Sequence, residues 1–348
     1  MRRRAGERLL GIPERRMSVE RIVRYDPAFA SAALFQPVFR GFRPRLDVRF
    51  DFNGIGWRWR GPEQLGIPEQ TLLLVLLELA AEQKAVEPGD ETRQIESDLY
   101  QVGEVRRPRT AKLTVSFYEL CRRLGRGAGG SAAEQRRAEL KRLCEVTVWS
   151  KIDDGSEFQS RLLNWQVGNG TGVTVLLNWR LTEVLFGGHF SVVCVDERLS
   201  LKSECARALH CALSLRVRAG TTMAFHIDKL ARYVWADAGA HIPVSPRTGH
   251  RPQSETPAAI AARRRSRELK KAVTEIAELG AWTVKLTAKG AVQFSRHALS
   301  KAEETSLPWL PEQPRHPSLK PPEASSSRVT SPGVWTMFAR QDSSPASS

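Results

Sequence analysis

The chain has 348 residues, 41% of them hydrophobic, and a formal net charge of +15 at pH 7. That length leaves room for two domains with buried cores, at about 100–200 residues each, and a basic excess of this size selects a polyanionic partner, nucleic acid before anionic membrane. No stretch reads as a membrane span, because the most apolar run, Leu72 to Ala81, is interrupted by Glu78 and falls far short of the ~20 residues required.

Residues 1–24 carry eight arginines against three glutamates and predict a flexible basic arm. No apolar segment of signal-peptide type follows these arginines, so a cytoplasmic protein is expected. The five cysteines (121, 144, 194, 205 and 211) are odd in number and show no C-x-x-C spacing. Four of them fall in apolar periodic segments and read as small core residues of a reducing compartment.

From Arg45 the chain alternates polar and apolar residues to Phe52, turns at Asn53-Gly54 and repeats the alternation through Trp57 and Trp59, a β-hairpin signal. Asp47 and Asp51 share one face of that hairpin and read as solvent-facing, since no His or third carboxylate accompanies them. Pro68 to Lys84 predicts a buried helix, and 85–110 a loop. Lys112 begins a strand. Ser116 is placed to cap the next helix with Glu119 as its capping-box partner, and Gly125 closes that helix. Ser131 to Leu143 predicts a further helix with Ala133, Leu140 and Leu143 inward and Gln135, Lys141 and Arg142 outward. A ribbon follows, turning at Asp153-Asp154-Gly155. Helix, strand, helix, helix, ribbon is the order of a winged helix.

The order recurs. Leu201 to Leu215 predicts a helix, Met223 to Ile227 a strand, and Asp228 to Trp235 a helix that Asp228 caps. After a Pro/Gly-rich insertion at 239–257 comes Arg263 to Leu279. Its Leu269, Val273 and Ile276 form one apolar face, while Arg264, Arg267, Lys271 and Thr274 point the other way. Two short β runs then flank Ala288-Lys289-Gly290. The expected architecture is α+β: a basic arm at 1–24, a first winged-helix domain with its N-terminal hairpin at 25–180, a second at 181–300, and a Pro/Ser-rich disordered tail at 301–348. A winged helix lays one helix in the DNA major groove and its wing along the backbone. Arg264, Arg267, Lys270 and Lys271 are the expected base-reaching residues. Arg263 and Arg265, with Lys285 and Lys289 of the wing, are expected on phosphates, and Gln135, Lys141 and Arg142 are the candidates in the first domain.

Catalytic chemistry has no foothold in the sequence. Gly125 to Gly130 fits G-x-G-x-x-G, but a helix rather than a strand precedes it, against the dinucleotide fingerprint. No Walker motif, H-E-x-x-H or Cys/His cluster occurs, so no cofactor, no metal and no enzyme activity are expected. His210 and His226 lie in apolar segments and read as core histidines.

Six stretches carry a family resemblance: IVRYDPAFASAALF, GPEQLG, VSFYELCRRLG, LNWRLTEVLFGGHFSVVCVDE, LKSECARALHCAL and IDKLARYVW. In this order they resemble the replication protein C family, the iteron-binding initiators of IncQ-type plasmids, and more distantly the TrfA-type initiators. The resemblance spans about residues 22–296. The basic arm, the 239–257 insertion and the tail depart from it. It implies two tandem winged helices in a pseudo-twofold arrangement, and an initiator in plasmid replication and copy control that binds direct repeats (iterons) in double-stranded origin DNA and helps open adjacent A·T-rich DNA. It further implies loading of a plasmid-encoded helicase with its primase, with possible self-association and no membrane partner. The competing expectation is a winged-helix repressor that represses a promoter without opening an origin.

Overall fold

The structure, a computed structural model, describes residues 21–31, 34–38, 43–52, 54–86, 111–125, 127, 129–151, 157–167, 172–185, 190–235, 257–287 and 290–297. The expected arm up to residue 20, all but the last residue of the 239–257 insertion, the turn residue Lys289 and the tail from 301 lie outside the described residues. Ile22 to Arg24, expected at the end of the arm, instead enter the first strand, β1 (Ile22–Tyr25), followed by α1 (Pro27–Ser31).

The sequence-predicted hairpin is β2 (Leu46–Phe52) and β3 (Ile55–Gly61), paired from Leu46↔Gly61 to Phe52↔Ile55. Its inner face carries Trp57 and Trp59 against Phe29 of α1, with ring centroids 6.3 and 5.8 Å apart. Asp47 on the outer face is bonded by Arg58 at 2.9 and 2.8 Å, a surface pair. Next comes α2 (Ile67–Val86), in which Leu72 to Leu77 are all fully buried. A helix apolar on every side has neighbours on every side. Here they include β1, α3 (Phe117–Arg123), α4 (Gly130–Glu145), α5 (Trp179–Leu185) and α7 (Glu204–Arg216).

Between α2 and α3 runs β4 (Lys112–Ser116). Ser116 caps α3 by accepting from Glu119 N at 3.1 Å, as its spacing predicts, and Arg122 and Arg123 hold the Glu119 carboxyl down at about 2. The helix ends at Gly125, whose φ of +64° is a left-handed conformation that glycine adopts without strain.

The first wing differs from the sequence expectation. The strands after α4 are β5 (Thr147–Lys151), β6 (Glu157–Arg161), β7 (Leu163–Val167) and β8 (Gly172–Leu177). The ribbon read from the sequence, β5 with β6, joins the N-terminal hairpin in a four-stranded sheet of order β2-β3-β5-β6. The wing is β7 with β8, which pair with β4 in the order β4-β8-β7. A single stretch, Glu157 to Trp165, therefore serves two sheets. It changes sheet at Leu162, which is fully buried and donates to Val146 O at 3.0 Å. The adjacent apolar pair Leu162-Leu163, both buried, slips the alternation by one residue at this corner.

The second half follows α5 with β9 (Ser191–Cys194), α6 (Val195–Ser200) and α7. Then come β10 (Thr222–His226), α8 (Ile227–Val234), α9 (Pro257–Ala277), β11 (Trp282–Leu286) and β12 (Ala291–Arg296). Its sheet order, β10-β12-β11, repeats β4-β8-β7 position for position. Both halves are winged helices, and the first carries the extra hairpin β5–β6. Asp228 lies in the first turn of α8 rather than at its cap, which is His226. His226 is exposed, contrary to the core role expected of it.

The halves share one hydrophobic core, with β1 pairing antiparallel to β9 at the seam. Arg198 of α6 is fully buried there and donates to Thr71 Oγ1, Gln70 Oε1, Ile67 O and Arg207 O at 3.1, 2.7, 3.5 and 2.6 Å. Those four acceptors are neutral, so burial pushes the guanidinium down to about 10. His210 is a core histidine, its Nε2 2.8 Å from Glu197 Oε2, which also accepts from Trp282 Nε1 at 3.2 Å. Burial lowers the His210 pKa although Glu197 pulls it up. Cys121, Cys194, Cys205 and Cys211 are buried and form no disulfide, and burial pushes Cys205 up to about 12. Among the described residues, no helix is long and apolar enough to cross a membrane.

Candidate nucleic-acid interface

Helix α9 occupies the recognition position of the second winged helix. Leu269, Ala272 and Ile276 are buried, with Val273 half-buried beside them, so the helix packs on α7 and α8 along the stripe read from its period. Glu275 belongs to that inner side. Its Oε2 accepts from Lys202 N at 2.9 Å and Ser203 N at 3.0 Å, at the start of α7. Burial pushes the Glu275 carboxyl up, but those bonds outweigh it and hold the pKa below its ordinary value. With Glu275 turned inward, the outer face is left to Arg263, Arg264, Arg267, Lys270, Lys271 and Thr274, all exposed.

Arg265 is the exception among the arginines. It is half-buried, and its guanidinium lies over the Trp235 ring at 5.8 Å from the centroid. That cation–π contact fixes the end of α8 against α9. Lys285 of β11 is exposed, as expected of a wing residue, and Leu286 beside it is 78% exposed. Lys229 and Arg232 of α8 are exposed too. The sequence reading of α8 rests on its cap alone and does not single them out; the i, i+3 spacing of the two was the available signal.

Helix α4 holds the same position in the first half, with a different fate for its charges. Gln135 and Lys141 are exposed, and Lys141 lies 3.8 Å from Glu145. Arg142, expected outward, turns toward α2, where its Nε is 2.5 Å from the fully buried Glu69. Glu69 also accepts from Gly66 N at 2.8 Å and lies 3.2 Å from Arg43. A buried carboxylate needs such partners, and α4 supplies one. Arg136 and Glu139 form a buried pair at 2.7 Å, and Arg137 lies over the Phe117 ring at 5.0 Å. The four basic side chains of α4 are matched by three acidic ones, whereas α9 carries six against two. Of the two helices, α9 presents the strongly cationic face.

Among the described residues, no three His, Cys, Asp or Glu side chains come together as metal ligands. The histidines of this half stand apart: His210 is sealed against Glu197, and His226 lies exposed at the α8 cap.

A family model described as replication protein C (RepC) matches residues 19–298. Among solved structures, domains 2 and 3 of RctB match with a TM-score of 0.48 and 10% identity, covering 79% of this chain and 99% of that chain. The Pi initiator protein, solved in complex with iteron DNA, matches with a TM-score of 0.45 and 12% identity, covering 80% and 97%. No curated protein matches the chain.

Proposed function

The chain belongs to the replication protein C (RepC) family, and from that premise we propose that it initiates plasmid replication by binding direct repeats in origin DNA through α9 and the β11–β12 wing. The observation that carries this reading is the outer face of α9, where Arg263, Arg264, Arg267, Lys270 and Lys271 are exposed together on the recognition helix of a winged helix. In this reading Arg264, Arg267, Lys270 and Lys271 reach base edges in the major groove. Arginine to guanine is the commonest such contact, worth about 1–3 kcal/mol of discrimination. Arg263, Lys285 and Lys289 take phosphates. Arg265 acts from its stack on Trp235, holding α9 in place and meeting the backbone only from the edge of the interface. In the first half, Gln135 and Lys141 meet DNA, while Arg142 is committed to Glu69 and supports α4 from behind.

Binding both halves to successive major grooves on one DNA face would place the two recognition helices about one turn, ~34–36 Å, apart along the duplex. Bending a site of this size costs of order 1–6 kcal/mol, and contact with an adjacent A·T-rich stretch is where that strain would assist opening. A plasmid-encoded helicase and its primase are then loaded on the opened strand. The protein hydrolyses nothing in this scheme and needs no cofactor, and self-association sets how many repeats are filled at once.

The test is a salt-titrated footprint on DNA flanking the encoding gene, with permanganate probing of the nearby A·T-rich stretch. Protection repeating over direct repeats, with thymines becoming reactive beside them, is the expected result. One protected palindrome with no reactive thymines would replace this reading with a promoter repressor, whose DNA contacts would use the same residues.

A further inference from the structure

Leu286 is the last residue of β11, and it is 78% exposed. Its register places it in an apolar row across the second sheet. Leu286 pairs with Val292 of β12, and Val292 pairs in turn with Phe225 of β10. Directly paired residues point to the same face of a sheet. The three therefore share the face on which α8 packs, where the Tyr233 and Phe225 ring centroids are 5.9 Å apart. Phe225 and Val292 are 3% and 5% exposed. The cover over this row ends before its third member.

A single exposed apolar side chain is ordinary on a protein surface, but Leu286 differs in three respects. The turn beyond it is pinned through Thr287, which donates from N to Ala291 O at 2.8 Å, accepts at O from Gly290 N at 2.9 Å, and accepts at Oγ1 from Ala291 N at 3.1 Å. Gly290, at φ +74°, supplies the left-handed residue of that turn. The leucine is thus presented on a strand end already ordered, with little left to immobilise on binding. Its neighbour Lys285 is exposed and points to the opposite face, as successive strand residues do. One strand end so offers a cation to a phosphate wall and an apolar group to base edges. The first wing lacks this arrangement. The matching residue there is Val167, paired with Val173, which pairs with Val115. Val167 is half-buried, and its neighbour is the uncharged Gln166.

We propose that Leu286 is a wedge that enters the minor groove beside the bound repeat and partly unstacks one base step. This rests on the reading of α9 and its wing as the duplex-binding surface, and it assigns to the wing an action on the DNA beyond phosphate contact. Apolar side chains inserted in this way kink a duplex, because they cover base faces that the kink exposes. Pyrimidine–purine steps unstack most easily, so the wedge selects a TA or CA step at that point without a hydrogen bond to any base. Leu286 carries no charge, so its removal leaves the salt dependence of binding as it was.

The experiment uses the full chain and a duplex carrying one footprinted repeat, with 2-aminopurine placed in turn at each adenine of the repeat and its flanks. Fluorescence is read at saturating protein for the parent, Leu286→Ala and Leu286→Met. The expected result is a severalfold rise at one step with the parent. The rise is lost in Leu286→Ala and kept in Leu286→Met, whose side chain is apolar and of like size. The salt slope of Leu286→Ala equals that of the parent. A parent that binds the repeat and brightens no step overturns the wedge and leaves the α9 reading standing, as does an equal rise in Leu286→Ala. A parent that binds the repeat no better than a scrambled duplex overturns the α9 reading and the wedge together. Self-association lost in Leu286→Ala by sedimentation velocity, with the fluorescence rise retained, would assign the leucine to a contact between copies of the chain instead.

Discussion

Replacing Arg267 and Lys271 together by alanine is predicted to weaken specific DNA binding and leave the fold intact. Both side chains are exposed on the face of α9 opposite Leu269 and Ile276, so truncation opens no cavity and removes no core contact. The size of the effect follows from counterion release. Each phosphate neutralised on B-DNA contributes ~0.9 to the slope of log affinity against log salt, so if both side chains met phosphates rather than base edges their loss would make the slope shallower by about 1.8. Between roughly 50 and 200 mM salt, that difference closes the gap between variant and parent by about tenfold. If both read base edges, as proposed, the slope changes little. The loss then appears as about 1–3 kcal/mol of discrimination between the true repeat and one altered at a contacted base. Fluorescence anisotropy with a repeat duplex and a scrambled duplex, across a salt series, separates the two cases. A thermal melt of the variant by circular dichroism checks the fold. An unchanged affinity and slope in a folded variant would falsify the placement of α9 against DNA.

Arg142→Ala is expected to lower stability by about 1–3 kcal/mol in urea denaturation, because the buried Glu69 loses one partner while Arg43 and Gly66 N remain; a loss of DNA affinity with unchanged stability would contradict this. Leu209→Asp buries a charge in α7 at a site with no exposure, costing several kcal/mol, and should abolish the cooperative thermal transition; a native transition would show that the site is less enclosed than described. His210 has a depressed pKa in the folded protein, so the unfolded chain binds its proton first as pH falls. Its contribution to stability is complete above about 6.5 and declines below it, by at most about 1.4 kcal/mol per pH unit. His210→Gln should flatten that decline in denaturation curves between pH 7 and 5, whereas an equal slope in both proteins would assign it elsewhere. Removal of residues 301–348, which lie beyond the family match, should leave DNA affinity unchanged; a large loss in the same anisotropy assay would give the tail a direct role.

The second winged helix was legible in the sequence because its elements are consecutive and each carries its own local signal. The stripe of Leu269, Val273 and Ile276 placed α9, and a glycine turn separated β11 from β12. The first was legible in its helices and misread in its wing. Leu162 and Leu163 are adjacent apolar residues, both buried, so the alternation of Glu157 to Trp165 slips by one there, but which sheet each part joins is decided by partners distant in the sequence. Side-chain direction failed for a related reason. Arg142 lies on a helix whose outward face a wheel can draw, but its partner, Glu69, is 73 residues away and buried in α2. Arg265 likewise sits within a run of three arginines that the sequence treats alike, and only the placement of Trp235 separates it from its neighbours.

The charge difference between α4 and α9 bears on how two winged helices divide one task. On α4, arginine side chains are engaged within the fold by Glu69, Glu139 and the Phe117 ring, and Lys141 has Glu145 beside it. These contacts fix the helix firmly and leave little uncompensated charge for a polyanion. On α9 one of the two carboxylates, Glu275, binds the backbone at the start of α7 instead of facing outward. The same inward turn of a single side chain therefore joins α9 to the core and keeps its outer face cationic. On this division the salt dependence of binding should arise almost wholly from the second half. The first half should add contacts whose strength varies little with salt, so separate substitutions on α4 and α9 should differ in slope more than in affinity at any one salt concentration.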